Sequence, residues 1–177
     1  MTTQLLIYER ATPITSGRHR DWSVVTGQDY SFARRLNSAP LVAAEIVTAA
    51  REHPVIFAGQ GDAVAPAAVC GAREGENAFI GEDGKWLGRY VPAFLRRYPF
   101  VFSRSEDGET FTLCIDEEFS GLNQEGRGER LFDSAGERTR YLESVLAFTR
   151  EYQAQFQRTQ AFCRKLLDLD LLEPAEA

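Results

Sequence analysis

Apolar residues change their period three times along the chain. Near the N-terminus, QLLIY at 4–8 suggests a short strand, followed by a polar, turn-rich stretch to about Asp29. Ser38 then precedes Pro40, the pattern of a helix cap with proline in the first turn. Val42, Ile46 and Ala49 or Ala50 recur at helical spacing as far as Arg51. His53-Pro54 should end that helix, because a residue before proline resists the α conformation.

The middle of the chain has a β pattern. Val55–Ala58 and Ala67–Ala72 are short apolar runs of the kind found in buried strands. Asn77–Ile80 and Lys85–Tyr90 flank Asp83-Gly84, and Val101–Arg104 and Thr110–Ile115 flank Asp107-Gly108, predicting two hairpins. In the last of these strands Phe111, Leu113 and Ile115 alternate with Thr110, Thr112 and Cys114. VPAFLRRY, between the hairpins, suits a short helix with Pro92 in its first turn. The glycine-rich segment 120–136 is the candidate mobile loop, with Leu131-Phe132 as its anchor.

From about Glu137 to Leu167 the spacing becomes three and four. Leu142, Val145, Leu146, Thr149, Tyr152, Phe156, Thr159, Phe162, Cys163 and Leu166 form one stripe. Such a helix would exceed about 40 Å, longer than a domain of this size is wide. It should therefore break or offer a self-association surface, so a homodimer through this helix is one possible assembly. The fold expected is α+β: short antiparallel hairpins forming a mixed sheet, packed by an internal helix and a long C-terminal helix, in one domain over 1–177.

The 177 residues carry a formal charge of -6 and a pI near 5.1, which disfavours binding to a nucleic-acid backbone. Nowhere is there an apolar run of the 18 or more residues needed to cross a bilayer, so no membrane insertion is expected. The N-terminus lacks the basic and apolar regions of a secretory signal. Cys70, Cys114 and Cys163 are odd in number, have no CxxC spacing and sit among apolar neighbours. They look like inert core thiols in a reducing, cytoplasmic compartment.

Candidate chemistry is sparse. His19 and Asp21 form an HxD triplet, and His53 is the one other histidine, so an iron-type triad is conceivable. The simpler reading leaves both histidines exposed to solvent. Asp116-Glu117-Glu118 follows a strand, either as a weak cation site or as solvated charge. No phosphate-cradling glycine loop or nucleophile elbow occurs, and no cofactor is expected. The densest stretch is Lys85–Phe102, with Trp86, Arg89, Tyr90, Arg96, Arg97 and Tyr98 as candidate partner-binding residues. Aromatic and arginine side chains dominate protein-recognition hot spots. The competing reading places the aromatic rings in the core.

The same stretch carries a resemblance that extends over about 13–174. Phe32-Ala33, Asn37, Pro40-Leu41, Glu45 and His53-Pro54-Val55-Ile56-Phe57 belong to it. So do Gly75-Glu76-Asn77, Gly84-Lys85-Trp86, Tyr90–Phe94, Arg96–Phe100, Leu113–Asp116 and Leu131-Phe132. The last markers are Thr159, Phe162 and Leu171-Leu172-Glu173-Pro174. With these linked blocks the chain resembles the bacterial SapC family, whose name refers to surface-layer proteins. The resemblance supplies no catalytic residues. It is not a resemblance to the peptide-transport permease of the same name.

The residues and the resemblance together lead to an accessory protein without catalysis, binding an unidentified protein partner through the arginine and aromatic patch. A metal- or small-molecule-dependent enzyme using His19, Asp21, His53 or Asp116 is the alternative. A surface-layer or envelope component is the third reading.

Overall fold

The computed structural model describes residues 7–104 and 110–174. In chain order the elements are β1 (Ala11–Pro13), α1 (Ser16–His19), β2 (Ser23–Val24), β3 (Ser38–Pro40), α2 (Ile46–Ala49), β4 (Val55–Ala58) and β5 (Ala65–Val69). They continue with α3 (Ala93–Arg96), β6 (Phe100–Arg104), β7 (Phe111–Asp116), β8 (Leu122–Asn123), β9 (Glu129–Arg130) and α4 (Arg140–Asp168). The class is α+β. All strand pairs are antiparallel, and they form three small sheets where one mixed sheet was expected.

The chain divides into two compact units, each built from two segments. The first comprises Met1–Asp29 and Arg96–Glu151, the second Tyr30–Leu95 and Tyr152–Ala177. The first holds the sheet β1-β7-β6 and the smaller sheet β8-β2-β9. β6 and β7 are the predicted second hairpin, in register from Phe100 opposite Ile115 to Arg104 opposite Phe111. The alternation read in the sequence is one of residue type and not of burial, since Ile115 and Cys114, on opposite faces, are both buried. It does not separate a wet face from a dry one there, because Asp116 is buried as well.

The glycine-rich segment is built into structure rather than left as an open loop. Its Leu122-Asn123 and Glu129-Arg130 flank β2 on both sides. The Asn123 side chain ties the turn between them, donating to Ser23 O, Gly121 O and Arg127 O and accepting from Glu125 and Arg127 N–H. Gly128 has a left-handed φ of 79°, and a Cβ there would lie 2.3 Å from Val24 O. Glycine is thus required where the turn meets β2.

The second unit is organised on β3-β5-β4. Ser38 and Pro40 lie in strand β3, not at a helix start. Pro40 is tolerated because β3 is an edge strand, where a missing N–H breaks no ladder. The helical spacing that follows yields a 3-10 turn, Ala43–Glu45, and only four α-helical residues. β5 is the central, buried strand, whereas β4 is an edge strand and leaves Ile56 exposed. The first predicted hairpin reduces to a single bridge, Ile80 to Trp86. Leu41, Ala49 and Ala68 form one buried cluster of this unit, with Val55 and Tyr90 packed against it.

α4 is one unbroken helix of 29 residues, about 43 Å long. Its stripe is buried at Leu142, Leu146, Thr149, Tyr152, Thr159 and Cys163, while Phe162 is exposed. No helix among the described residues is long and apolar enough to cross a membrane.

Candidate functional site

The arginine and aromatic stretch is shared between the two units, and its residues have different surroundings. In the second unit Trp86 is half-buried and stacks on Phe79, ring centres 5.4 Å apart. Its indole N–H donates to Tyr90 O at 2.9 Å, closing a tight turn. The Glu52 carboxylate accepts the Arg89 backbone N–H at 2.7 Å, and Tyr90 donates its hydroxyl to Glu45 at 2.5 Å. This bracing holds Leu87 65% exposed, with the Arg89 side chain also in solvent.

In the first unit Arg96 is exposed and lies over the Phe148 ring at 5.4 Å. Arg97 and Tyr98 are buried. Arg97 sits 5.7 Å over Tyr8, and Tyr98 packs edge-on against Tyr8 and Phe119. The Tyr98 hydroxyl donates to Asp116 at 3.2 Å. Burial, with the Asp116 carboxylate second, pushes the phenol well above its ordinary range. Tyr98 is a structural donor here.

Neither histidine is exposed, contrary to the simpler reading of the sequence: His19 and His53 are both buried. Thr15 N–H donates to His19 Nδ1 at 3.3 Å, so Nδ1 is an acceptor and Nε2 carries the proton. Nε2–H in turn faces Glu117 Oε1 at 3.2 Å. Burial holds the imidazole below its usual pKa even though Glu117 opposes the shift.

Glu117 also takes both arms of the Arg18 guanidinium, the second at 2.8 Å, and Arg10 at 3.1 Å. The Arg18 hydrogen bond is the main reason its carboxyl lies below the ordinary range. Asp116 accepts from the N–H groups of Glu9, Arg10 and Glu118 besides Tyr98. Asp116 and Glu117 are thus interior anchors, where the sequence alone suggested solvated charge.

Asp21 is exposed and 3.9 Å from Arg130. His53 belongs to the second unit, with Nδ1 facing Val69 O at 3.3 Å and its ring 4.1 Å from Phe79. Among the described residues no group of three or more His, Cys, Asp or Glu side chains is placed to hold a metal. All three thiols are buried, and desolvation raises each, Cys70 up to about 11.

Sequence reasoning placed Glu45 among the family markers but gave it no role, and it is another interior acid. It accepts Val42 N–H at 2.9 Å and Ala93 N–H at 2.7 Å besides the Tyr90 hydroxyl. Its signal was local, a glutamate three residues into a helical turn, where it can reach back to the first N–H.

A family model described as SapC matches residues 14–177. The chain belongs to the SapC family. Nothing matches it among curated proteins or among solved structures. Within this SapC chain Arg97, Asp116 and Glu117 of the first unit are interior, while the Trp86–Tyr90 turn leaves Leu87 and Arg89 exposed.

Proposed function

We propose that this SapC-family chain is an accessory protein without catalysis that recognises a protein partner through the Trp86–Tyr90 turn. The observation that carries the reading is the braced exposure of Leu87 and Arg89. Leu87 stands 65% exposed on a turn fixed by the Trp86 and Glu52 hydrogen bonds. The Arg89 guanidinium has no hydrogen-bond or ion-pair partner among the described residues. An exposed apolar side chain beside an arginine, a residue that hot spots favour, on backbone already ordered loses little entropy on binding.

Arg96 belongs to the other unit and is not needed for this contact, and Arg97 is committed to the interior. The three buried free thiols support a reducing, cytoplasmic setting. Self-association through the end of α4 is the second assembly we propose. Its support is the exposure of Phe162, Leu167, Leu169 and Leu171.

The test is native mass spectrometry of the protein drawn gently from its own host, wild type beside a Leu87→Ala, Arg89→Ala double variant. The wild type is expected to carry a stoichiometric protein partner, and the double variant to lose it with an unchanged melting temperature. Retention of the partner by the double variant overturns the proposed surface. A wild-type chain carrying a stoichiometric metal or small molecule and no protein partner favours the enzyme instead.

A further inference from the structure

In the first unit β1 follows β7 only part of the way. Its last bond is from Ile14 N–H to Leu113 O at 2.9 Å, and the chain then turns into α1 at Ser16. Backbone groups of β7 alternate sides: Asp116 N–H bonds Pro99 O beside β6, and Glu117 N–H bonds Arg10 O beside β1. Carried back along the strand, that alternation directs the N–H and C=O of Phe111 toward the side β1 has left. The Phe111 ring is itself exposed, next to Phe102 and under Arg104.

At this place lies an open groove of about 890 Å³. Ile14, Phe111 and Leu113 give it partly exposed apolar surface over a buried floor of Phe132, Leu142 and Leu146, and Glu137, Glu143, Arg138 and Arg150 make its rim charged. Arg138 on its rim is paired with Glu143 at 3.2 Å. Arg150, also on the rim, has no hydrogen-bond or ion-pair partner among the described residues.

We infer that this groove binds an extended peptide segment of a partner, apolar with a carboxylate at one end. The peptide exchanges backbone hydrogen bonds with Phe111, lays a leucine-sized side chain against Phe111 and Leu113, and sets its carboxylate at Arg150. A peptide unit supplies a donor and an acceptor together, which the open edge at Phe111 requires. The unpaired guanidinium selects a negative group. From Leu142 to Arg150 the helix rises about 12 Å, the length of about four extended residues. This surface lies in the first unit and does not depend on the Leu87–Arg89 turn.

The full chain, labelled with nitrogen-15, is titrated with the peptide acetyl-Thr-Leu-Thr-Leu-Asp-amide while amide resonances are followed. Two further peptides carry N-methyl groups on alternate residues, one set for each edge of the extended strand. Saturable shifts are expected at the amides of Phe111, Leu113 and Leu146. One methylation pattern should weaken binding about tenfold and the other leave it unchanged, since only one edge meets β7. Arg150→Glu should weaken binding about tenfold as well.

Absence of saturable shifts at these amides overturns the inference, as does an equal response to the two methylated peptides. Undiminished binding by Arg150→Glu overturns it too. A dimer of the free chain that shifts the same amides on dilution assigns the groove to a second copy instead.

Discussion

Arg18 grips both carboxylate oxygens of Glu117 across 99 residues of sequence, joining the short helix α1 to the end of strand β7. The buried Glu117 side chain also receives His19 and Arg10, so one carboxylate gathers three side chains from the N-terminal segment. Fixed in this way, α1 is held where β1 has just left the sheet.

This cluster predicts the pH dependence of stability. The folded protein holds His19 below its unfolded value of 6.5, so the unfolded chain takes up a proton first as pH falls. Stability from this group is complete above 6.5 and declines below it. Glu117 is also lowered, from 4.5, and its contribution is lost at still lower pH. Both signs point to acid lability. Melting temperatures measured down through that range should fall in the wild type. A His19→Gln variant, less stable near neutrality, should show a flatter profile between the histidine and carboxylate ranges. An equally steep fall in the variant would assign that limb to another group.

A second prediction concerns α4. Thr159 Oγ accepts the Ala43 N–H at 2.8 Å and donates to Gln155 O at 2.7 Å. Valine keeps the shape but removes the acceptor, leaving the Ala43 N–H without its partner. Thr159→Val should therefore cost about 1.5 kcal/mol in denaturant unfolding, more than an isosteric apolar exchange would. A variant as stable as wild type would mean that solvent replaces the hydroxyl at Ala43.

The thiols offer a third. Cys70, Cys114 and Cys163 are buried and shifted upward by desolvation, so few thiolates exist at about pH 8. A thiol-specific reagent should leave all three untouched in the folded protein and modify all three in denaturant. Rapid reaction of any one under native conditions would mark it as accessible.

What was legible in the sequence follows from local chemistry. The period of three and four in α4, the alternation in β7 and the turn at 107–108 identified the long helix and the β6-β7 hairpin, the turn itself lying outside the described residues. The linked blocks from Phe32 to Pro174 brought the family into view. Burial of charge was not legible: Asp116-Glu117 looks like a solvated strand end until Arg10, Arg18, His19 and Tyr98 are brought to it from distant sequence. The recognition stretch divided for the same reason.

Spacing along a chain sets which face a residue occupies on its own helix or strand, because those periods are built into the backbone. By itself the sequence of this protein therefore determined its α+β class, its long helix and its family. Whether Arg97 and Tyr98 turn inward while Leu87 and Arg89 stay in solvent depends on what other segments bring against them. Tertiary structure alone decided that, because desolvating a polar group is tolerable only where folding delivers a partner to it.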